Sequence, residues 1–289
     1  MFGPIVGIVR ENYAKILRER VFDPTVDSWF MMGSPWPILI IIACYLYFVL
    51  KLGPQYMENK KAFNLKYVLI AYNLAQVVYN ALMCSVFFSS KNVIYYMWNH
   101  SCEPLNPHKN PLTSTLYQVS WYYMFSKFID LLDTVFFVLR KKQSQVTLLH
   151  VYHHTNMALS TWAYLKYLKG EQGALIGLLN SAVHVVMYGY YLLSALGPQV
   201  QKYLWWKKYI TKIQLGQFVI IMTYLLGLLV YDCKLPKALT VYMFANCSIF
   251  LVLFSDFYHK AYLKSAKRAA GSATLTVLPV LPMEGKKIQ

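Results

Sequence analysis

Seven apolar runs, each about as long as a membrane-spanning helix, constrain the fold of this chain more than any other feature. An α-helix needs roughly 20 predominantly apolar residues to cross the hydrocarbon core of a bilayer. The runs cover 31–50, 67–88, 116–139, 147–166, 173–195, 209–230 and 239–258. They predict an all-α polytopic membrane protein in which residues 1–289 form a single seven-span domain. The fourth run begins among histidines, and the later topology would invert if it did not cross.

The composition excludes an ordinary soluble domain, because 57% of the residues are hydrophobic and only 14% are charged. The formal net charge of +16 raises the question of a nucleic-acid partner. Lys and Arg occur, however, in short clusters between the apolar runs and not in one basic domain. This pattern is typical of membrane orientation and of an anionic substrate, so we predict no nucleic-acid partner.

The basic clusters also predict the orientation. Most Lys and Arg residues lie in segment 51–66, in the loops after the third and fifth runs, and in the tail. Positively charged segments stay on the cytosolic side. Residues 1–30, which lack the apolar core of a cleavable signal peptide, are therefore predicted to be luminal. Residues 260–289 are predicted to form a flexible cytosolic tail.

This orientation has three consequences. Lys286 and Lys287 fall in the cytosolic tail, where they resemble the dilysine retrieval signal of endoplasmic reticulum membrane proteins. Cys102 and Cys233 fall in two luminal loops, where an oxidising compartment permits a disulfide. Asn99 begins a luminal glycosylation sequon, whose occupancy the sequence leaves open. We therefore expect a multi-pass protein of the endoplasmic reticulum membrane.

Ionisable groups inside the apolar runs predict a functional site. Such groups are expensive at membrane depth and are usually functional. His150, His153 and His154 are spaced so that they share one face of the fourth span. Asn180 and His184 lie four residues apart on the fifth span and begin a second polar stripe. Three histidines within five residues, with a fourth on another stripe, favour a site over isolated structural hydrogen bonds.

The third and sixth spans contribute further polar groups. Lys127, Asp130 and Asp133 occupy one side of the third span, and Thr211 and Gln214 lie on the sixth. None of these groups is stable facing lipid, so we expect them to converge on one interior cavity near the cytosolic side. The lysine and an aspartate form either a buried ion pair that orients helices or a device that positions a catalytic histidine.

Two kinds of chemistry fit a histidine-rich membrane site. Di-iron desaturases and hydroxylases require more ligands than four grouped histidines provide, although a single metal ion remains an alternative. Without a metal, imidazole is the expected nucleophile, because Cys44, Cys84 and Cys247 are isolated from the histidines. A thioester is activated toward acyl transfer to imidazole. The basic clusters at 140–142 and 207–208 are suited to the phosphates of coenzyme A.

Five ordered motifs resemble those of the very-long-chain fatty acid elongase (ELO) family. They are GPQYM (53–57), KFIDLLDTVFFVLRKK (127–142), HVYHHT (150–155), NSAVHVVMYGYY (180–191) and TKIQLGQF (211–218). The resemblance covers nearly the whole chain. It has one departure, because the first acid of the lysine motif is usually glutamate and is Asp130 here, one methylene shorter.

The resemblance implies an endoplasmic reticulum enzyme in which spans two to seven form an inverted barrel around an acyl-CoA tunnel. It implies condensation of a long-chain acyl-CoA with malonyl-CoA to 3-oxoacyl-CoA, carbon dioxide and CoA, without a metal or other cofactor. The reductase and dehydratase of the elongation cycle are expected partners, and a homo-oligomer is compatible with the sequence. A histidine-box, metal-dependent lipid oxidase of the desaturase or hydroxylase type is the alternative.

The resemblance also leads to hypotheses for individual residues. His153 accepts the acyl group, with His184 opposite it across the cavity. His150 and His154 orient the site or assist proton transfer, and Asp133, together with Asp130, fixes an imidazole tautomer. The predicted catalytic residues are His150, His153, His154, His184, Asp130 and Asp133. The residues predicted to bind the CoA moiety, to line its entry or to donate to the reacting thioester oxygen are Lys127, Arg140, Lys142, Gln145, Asn180, Tyr190, Lys207, Thr211 and Gln214.

Overall fold

The structure is a computed structural model that describes most of the helical part of the chain. It describes residues 23–89, 112–167, 172–231 and 237–264, together with Ala14, Tyr95, Cys102 and Cys233. The sequon at Asn99, the pair Lys286 and Lys287, and most of the predicted luminal and cytosolic terminal segments lie outside the described residues.

Every regular element among the described residues is helical, as the sequence predicts. A π-helical turn, Phe48–Leu52, joins the helix that ends at Tyr47 to the one that begins at Gly53, and a second, His259–Lys264, follows the helix that ends at Tyr258. The helices are α1 (Pro24–Asp27), α2 (Trp36–Tyr47), α3 (Gly53–Met57), α4 (Lys66–Phe88), α5 (Leu112–Ile129), α6 (Leu132–Leu139), α7 (Leu148–Tyr167), α8 (Gln172–Ala195), α9 (Pro198–Gln201), α10 (Lys207–Val230) and α11 (Lys237–Tyr258).

The π-helical turn before α3 follows from two adjacent residues. Pro54 has no N–H to continue the hydrogen-bond ladder, so the helix widens immediately before it. Gly53 lets the widened helix approach α6, because a Cβ on Gly53 would lie 2.7 Å from Val138 Cγ1. This close contact fixes α3 against α6, which lies inside the motif at 127–142.

Five helical segments are long and apolar enough to cross a membrane, so the chain is a multi-pass membrane protein. They are Trp36–Met57, Lys66–Phe88, Gly173–Ala195, Lys207–Val230 and Thr240–Leu263, which correspond to the first, second, fifth, sixth and seventh predicted spans. The third and fourth do not meet the same criterion. The third is interrupted at Asp130 and Leu131, between α5 and α6, and α7 carries the three histidines. The seven-span count therefore stays a prediction.

Six long helices contact one another in cyclic order. α4 packs against α8, α8 against α10, α10 against α11, α11 against α7, α7 against α5, and α5 against α4. The first span lies beside this group and contacts α7 through α2 and α6 through α3. In addition, α8 contacts α5, so α4, α5 and α8 pack against one another on one side of the group.

The segment before α2 closes one end of this helical group. Val26, Met31 and Met32 are buried in one apolar cluster with residues of α4, α5, α7 and α8. Trp162 Nε1 donates to the carbonyl oxygen of Met31 at 2.8 Å, and Trp121 Nε1 to that of Phe30 at 3.1 Å. These contacts hold the ends of α5 and α7 together on the side away from the histidines.

The predicted disulfide is present and joins Cys102 to Cys233. It links the segment before α5 to the connection between α10 and α11, two regions 131 residues apart in the chain. A crosslink over such a long loop restricts the unfolded chain and thereby stabilises the native state. Cys44, Cys84 and Cys247 are free thiols, and of the three only Cys247 is buried, whereas Cys84 is half-buried and Cys44 is exposed.

Candidate active site

Lys127 is the centre of a buried polar network at the end of α5. Its side chain is only 2% exposed. Nζ lies 3.0 Å from Asp130 Oδ2, 2.8 Å from Asn180 Oδ1 and 3.5 Å from His184 Nδ1. A buried ammonium is stable only when it is paired and hydrogen-bonded. The third and fifth predicted spans are thus joined through one charged side chain, as the sequence predicted.

Asp130 is the carboxylate that pairs with this lysine. Its Oδ2 lies 3.7 Å from His184 Nδ1, and its Oδ1 accepts hydrogen bonds from Gln76 Nε2 at 2.6 Å and from the Tyr188 hydroxyl at 3.1 Å. All these side chains are buried. Partners on three helices therefore determine the position of Asp130, although it lies in the irregular link between α5 and α6.

Asp133 occupies a different position from Asp130. Its Oδ2 accepts a hydrogen bond of 2.7 Å from the Tyr188 hydroxyl, and the Tyr188 ring lies edge-on to His184 with centroids 5.4 Å apart. The sequence favoured Asp133, with Asp130 second, as the acid that fixes an imidazole tautomer, but Asp130 is the one that lies near His184. Asp133 reaches it through Tyr188.

The three histidines of α7 form a second group beside this network. The ring centroids of His150 and His154 are 4.2 Å apart, and those of His153 and His154 are 5.5 Å apart. The structure therefore brings together the three histidines of α7, whereas His184 lies on α8 in the Lys127 network.

The surroundings of His153 are aromatic. Its ring centroid lies 4.9 Å from that of Phe250 and 5.8 Å from that of Phe254, both on α11. His150 packs against Phe137, and its Nε2 is buried without a hydrogen-bond partner. The histidine group thus faces an apolar wall on one side and the Lys127 network on the other.

A metal site requires several ligands that converge on one point. Within the described ranges, no group of three or more His, Cys, Asp or Glu side chains has an arrangement able to hold a metal ion. The histidines are instead arranged around aromatic rings and the lysine network.

An apolar cavity of about 120 Å³ lies next to both groups. Asn180, which accepts from Lys127, lines it, and so does Phe250, which contacts His153. From there it extends along α7 to Tyr164 and along α8 to Gly173. The remaining lining residues are Ser120, Tyr123, Asn156, Met157, Ser160, Thr161, Leu165, Ile176, Gln217, Phe218, Ile221, Leu225, Tyr242, Met243, Asn246 and Cys247.

The cavity ends at a contact between α7 and α8. The Tyr164 hydroxyl accepts a hydrogen bond of 2.6 Å from the Gly173 backbone N–H. A Cβ at Gly173 would lie 2.7 Å from Tyr164 Cζ, so only glycine allows the ring to remain there. His153 and Tyr164 are separated by about 16 Å along the helix axis, at 1.5 Å per residue. The cavity thus follows α7 over several helical turns and is lined mainly by apolar side chains.

The residues predicted to bind the CoA moiety are divided between surface and interior. Lys142, Gln145 and Lys207 are exposed, and Arg140 is half-buried. Lys141, with a φ of 54°, instead donates through Nζ to the carbonyl oxygens of Glu58 and Lys60 at 3.0 and 2.9 Å. It therefore anchors the 58–65 loop.

The other predicted substrate-binding residues lie deeper in the helical group. Thr211 and Tyr190 are buried, and the Tyr190 ring packs edge-on against Trp206 at 5.1 Å. Gln214 Nε2 lies 3.6 Å from Met187 Sδ. These three side chains therefore lie inside the helical group, unlike the exposed basic residues.

Three residues of the network were missed by the motif analysis. Gln76 and Tyr72 come from α4, and Tyr123 of α5 donates to Asn180 Oδ1 at 2.9 Å. A signal for Gln76 was present, because Asn73, Gln76 and Asn80 recur at helical spacing in an apolar run, and all three are buried. The same criterion that selected Asn180 and His184 selects this stripe.

Comparisons with known proteins agree with these features. A model of the ELO family (GNS1/SUR4 family) matches residues 30–270. A very long chain fatty acid elongase of Aedes aegypti is 44% identical over 252 residues, which cover 87% of this chain and 70% of that protein. Very long chain fatty acid elongase 7 of Rattus norvegicus is 45% identical over 249 residues, or 85% and 87% of the two chains. Very long chain fatty acid elongase 1 of Homo sapiens is 39% identical over 247 residues, or 85% and 88%.

Proposed function

The chain belongs to the ELO family, and from this premise we propose that it is a very-long-chain fatty acid elongase acting as a 3-oxoacyl-CoA synthase. It condenses a long-chain acyl-CoA with malonyl-CoA to give 3-oxoacyl-CoA, carbon dioxide and free CoA. One observation supports the mechanism: Asn180, which accepts from Lys127, and Phe250, which contacts His153, line the same apolar cavity. An acyl chain is apolar along its length and reactive at its thioester, which matches this arrangement.

In the first half-reaction, a ring nitrogen of His153 attacks the thioester carbonyl carbon of the acyl-CoA. A C–N bond forms, the C–S bond breaks, and CoA leaves as a thiolate that takes up a proton. The acyl group is then held on imidazole. The aromatic wall of Phe250 and Phe254 excludes water, which would otherwise hydrolyse this intermediate.

In the second half-reaction, malonyl-CoA loses carbon dioxide as its C–C bond breaks. The electron pair forms a thioester enolate, whose carbon attacks the acyl group on His153. The C–N bond then breaks, and the departing imidazole takes up one proton, which restores the neutral side chain of His153. Loss of carbon dioxide makes the step effectively irreversible without a redox cofactor.

Charge that develops on the reacting thioester oxygens needs preorganised donors. A lysine ammonium has only donors, so its contact with Nδ1 makes that nitrogen of His184 an acceptor and places the imidazole proton on Nε2. Asn180 accepts from Lys127 and Tyr123 through Oδ1, which directs the opposite, N–H end of its amide elsewhere. His184 Nε2–H and the Asn180 amide are therefore our candidate donors, with Gln214 as a third.

The substrate enters from the side of the exposed basic residues. Arg140, Lys142 and Lys207 bind the phosphates of CoA, as Arg and Lys do at other phosphate sites. Gln145, Tyr190 and Thr211 line the passage between these cations and the histidines. The reductase and dehydratase that act on the product are the proposed partners within the membrane.

The proposed placement is the endoplasmic reticulum membrane, with seven spans, a luminal N-terminus and a cytosolic C-terminus. The cyclic packing of α4, α5, α7, α8, α10 and α11 supports an inverted barrel made of spans two to seven. The Cys102–Cys233 disulfide supports a luminal position for the loops that contain it. The basic entry then faces the cytosol, where acyl-CoA and malonyl-CoA are available.

The test of this function is malonyl incorporation by the purified protein in detergent or liposomes. Wild-type protein is expected to transfer label from radiolabelled malonyl-CoA into acyl-CoA, with activity unchanged by chelators. Without malonyl-CoA it should release about one CoA per enzyme in a burst, the sign of a covalent intermediate. Label at background with every acyl chain would exclude condensation, and chelator-sensitive oxidation of the chain would favour the lipid oxidase instead.

A pair of histidine variants tests the nucleophile. His153→Ala should abolish both the burst and the condensation, because no acyl-imidazole forms. His259→Ala is the matched control, since this histidine is exposed at the end of α11 and should keep both activities. A full burst from His153→Ala would assign the acyl group to another residue.

A further inference from the structure

Gln76 approaches the active site from α4, a helix that carries none of the residues predicted from the motifs. Its side chain is 2% exposed, and Nε2 lies 2.6 Å from Asp130 Oδ1 and 3.1 Å from the Tyr72 hydroxyl. An amide nitrogen only donates, so the contact with Asp130 is a hydrogen bond to an ionised acceptor. Such charge-assisted bonds are about twice as strong as neutral ones.

The two oxygens of Asp130 have different partners. Oδ1 accepts from Gln76 and from Tyr188, whereas Oδ2 lies next to Lys127 Nζ and His184 Nδ1. The terminal torsion of an aspartate is intrinsically broad. Donors that hold Oδ1 from one side therefore determine where Oδ2 points. In this structure it points to the lysine and the histidine of the site.

We propose that Gln76 is a positioning residue for the condensation reaction. By holding Oδ1 of Asp130, it aims Oδ2 at the ammonium of Lys127, which in turn contacts His184 Nδ1 and so fixes the imidazole of His184 in its working orientation. Gln76 acts through Asp130 and does not contact the substrate. The inference rests on the proposed function, because the oriented imidazole serves that reaction.

The lengths of the two side chains provide a specific test. Asp130 has one methylene and Gln76 has two, and together they span the gap between α4 and the link after α5. Asp130→Glu alone drives the carboxylate into the amide, and Gln76→Asn alone withdraws the donor. In the double variant, residue 130 gains one methylene and residue 76 loses one, so the combined length of the two side chains is conserved.

The experiment measures kcat and KM for malonyl-CoA with purified full-length variants. Gln76→Leu keeps the volume but removes the donor, so kcat should fall about tenfold while KM stays within about twofold. Asp130→Glu should show a similar loss of kcat. The combined Asp130→Glu and Gln76→Asn variant should exceed the kcat of either single variant about threefold or more, because neighbouring residues are not additive.

The control variant is Asn73→Leu. Asn73 is also buried on α4, but its Nδ2 donates to the carbonyl oxygen of Leu69 on the same helix at 2.6 Å. The kcat of Asn73→Leu should stay within about twofold of wild type, since the hydrogen bond between Asn73 and Leu69 does not reach the site. The comparison separates loss of a polar group on α4 from loss of the contact with Asp130.

Three outcomes would overturn the proposal. They are a wild-type kcat for Gln76→Leu, an equal loss for Asn73→Leu, or a double variant weaker than both single variants. If Gln76→Leu does not fold, Gln76→Asn and the double variant decide, because both retain an amide. A wild-type protein that transfers no malonyl carbon would instead refute the proposed function, and this inference with it.

Discussion

The polar network around Lys127 and the apolar cavity between α7 and α11 share Asn180 but are built differently. In the network, charged groups are held by direct hydrogen bonds from α4, α5 and α8, and each has several partners. In the cavity, the wall is mainly apolar, and its polar groups pair with one another. The reaction thus depends on the directional hydrogen bonds of the network, whereas binding of the acyl chain depends on the shape of the cavity. Substitutions in the two regions should have different consequences.

The largest effect is expected for Lys127→Met. It leaves the buried carboxylate of Asp130 without its cation, and such a loss typically costs about 3–5 kcal/mol of stability. Thermal unfolding of the purified protein measures the effect, together with loss of turnover. Adding Asp130→Asn should recover part of the stability, because it removes the uncompensated charge.

Lys260→Met is the matched control for this substitution. Lys260 pairs with Asp256 at 2.7 Å, but both side chains are more than half exposed. Exposed ion pairs contribute little to stability, so this variant should unfold like the wild type. If the two substitutions destabilised the protein equally, the buried network would contribute no more to stability than an exposed ion pair does.

A medium effect, confined to product length, is expected for Tyr164→Ala. Removing the ring opens the end of the cavity at Gly173, so the chain has room for two further carbons. A methylene in an apolar pocket changes relative rates about tenfold or more, so the longer acyl-CoA should gain by at least that factor over the original substrate. Chromatography of the labelled products measures the shift.

Tyr164→Phe tests whether the ring or its hydrogen bond is responsible. It keeps the ring and removes the hydroxyl that accepts from the Gly173 N–H, so the length distribution should stay close to that of the wild type. Identical products from the alanine and wild-type proteins would show that another part of the wall ends the cavity.

The smallest effect is expected for Tyr242→Phe. The Tyr242 hydroxyl contacts Asn156 Oδ1 at 3.0 Å and Ser160 Oγ at 3.2 Å, and all three residues line the cavity. Loss of one such neutral bond should cost about 1 kcal/mol or less and leave turnover within about twofold. Stability and turnover are measured as for Lys127→Met. Complete loss of turnover would mean that the polar groups of the cavity wall act in the reaction, and the contrast between the two regions would fail.

Much of the site was visible in the sequence because charged residues in apolar runs are rare. Lys127, Asp130, His153 and His184 each interrupt a run that is otherwise hydrophobic, and the structure joins Lys127, Asp130 and His184 in one buried network. The cysteine pair was equally visible, since only Cys102 and Cys233 fell in predicted luminal loops. The family, likewise, followed from motifs that can be read along the chain.

Other features depended on the packing of distant segments. Periodicity identifies the face of α4 that carries Gln76, but only the position of α4 beside the Asp130 link shows that its amide reaches the carboxylate. Sequence spacing likewise did not distinguish Asp130 from Asp133, because both lie on one side of the predicted span. The break between α5 and α6 separates them and leaves Asp133 in contact with Tyr188.

There is a physical reason why some of these features can be read from the sequence and others depend on packing. Apolar run length and the cost of burying charge are local properties of the chain, so membrane class, helical content and candidate residues can be read from the residues in order. Hydrogen-bond partners and the end of a cavity depend on distances between side chains far apart in the chain. The hydrogen bonds between Gln76 and Asp130 and between Tyr164 and Gly173 form only when the helices have packed.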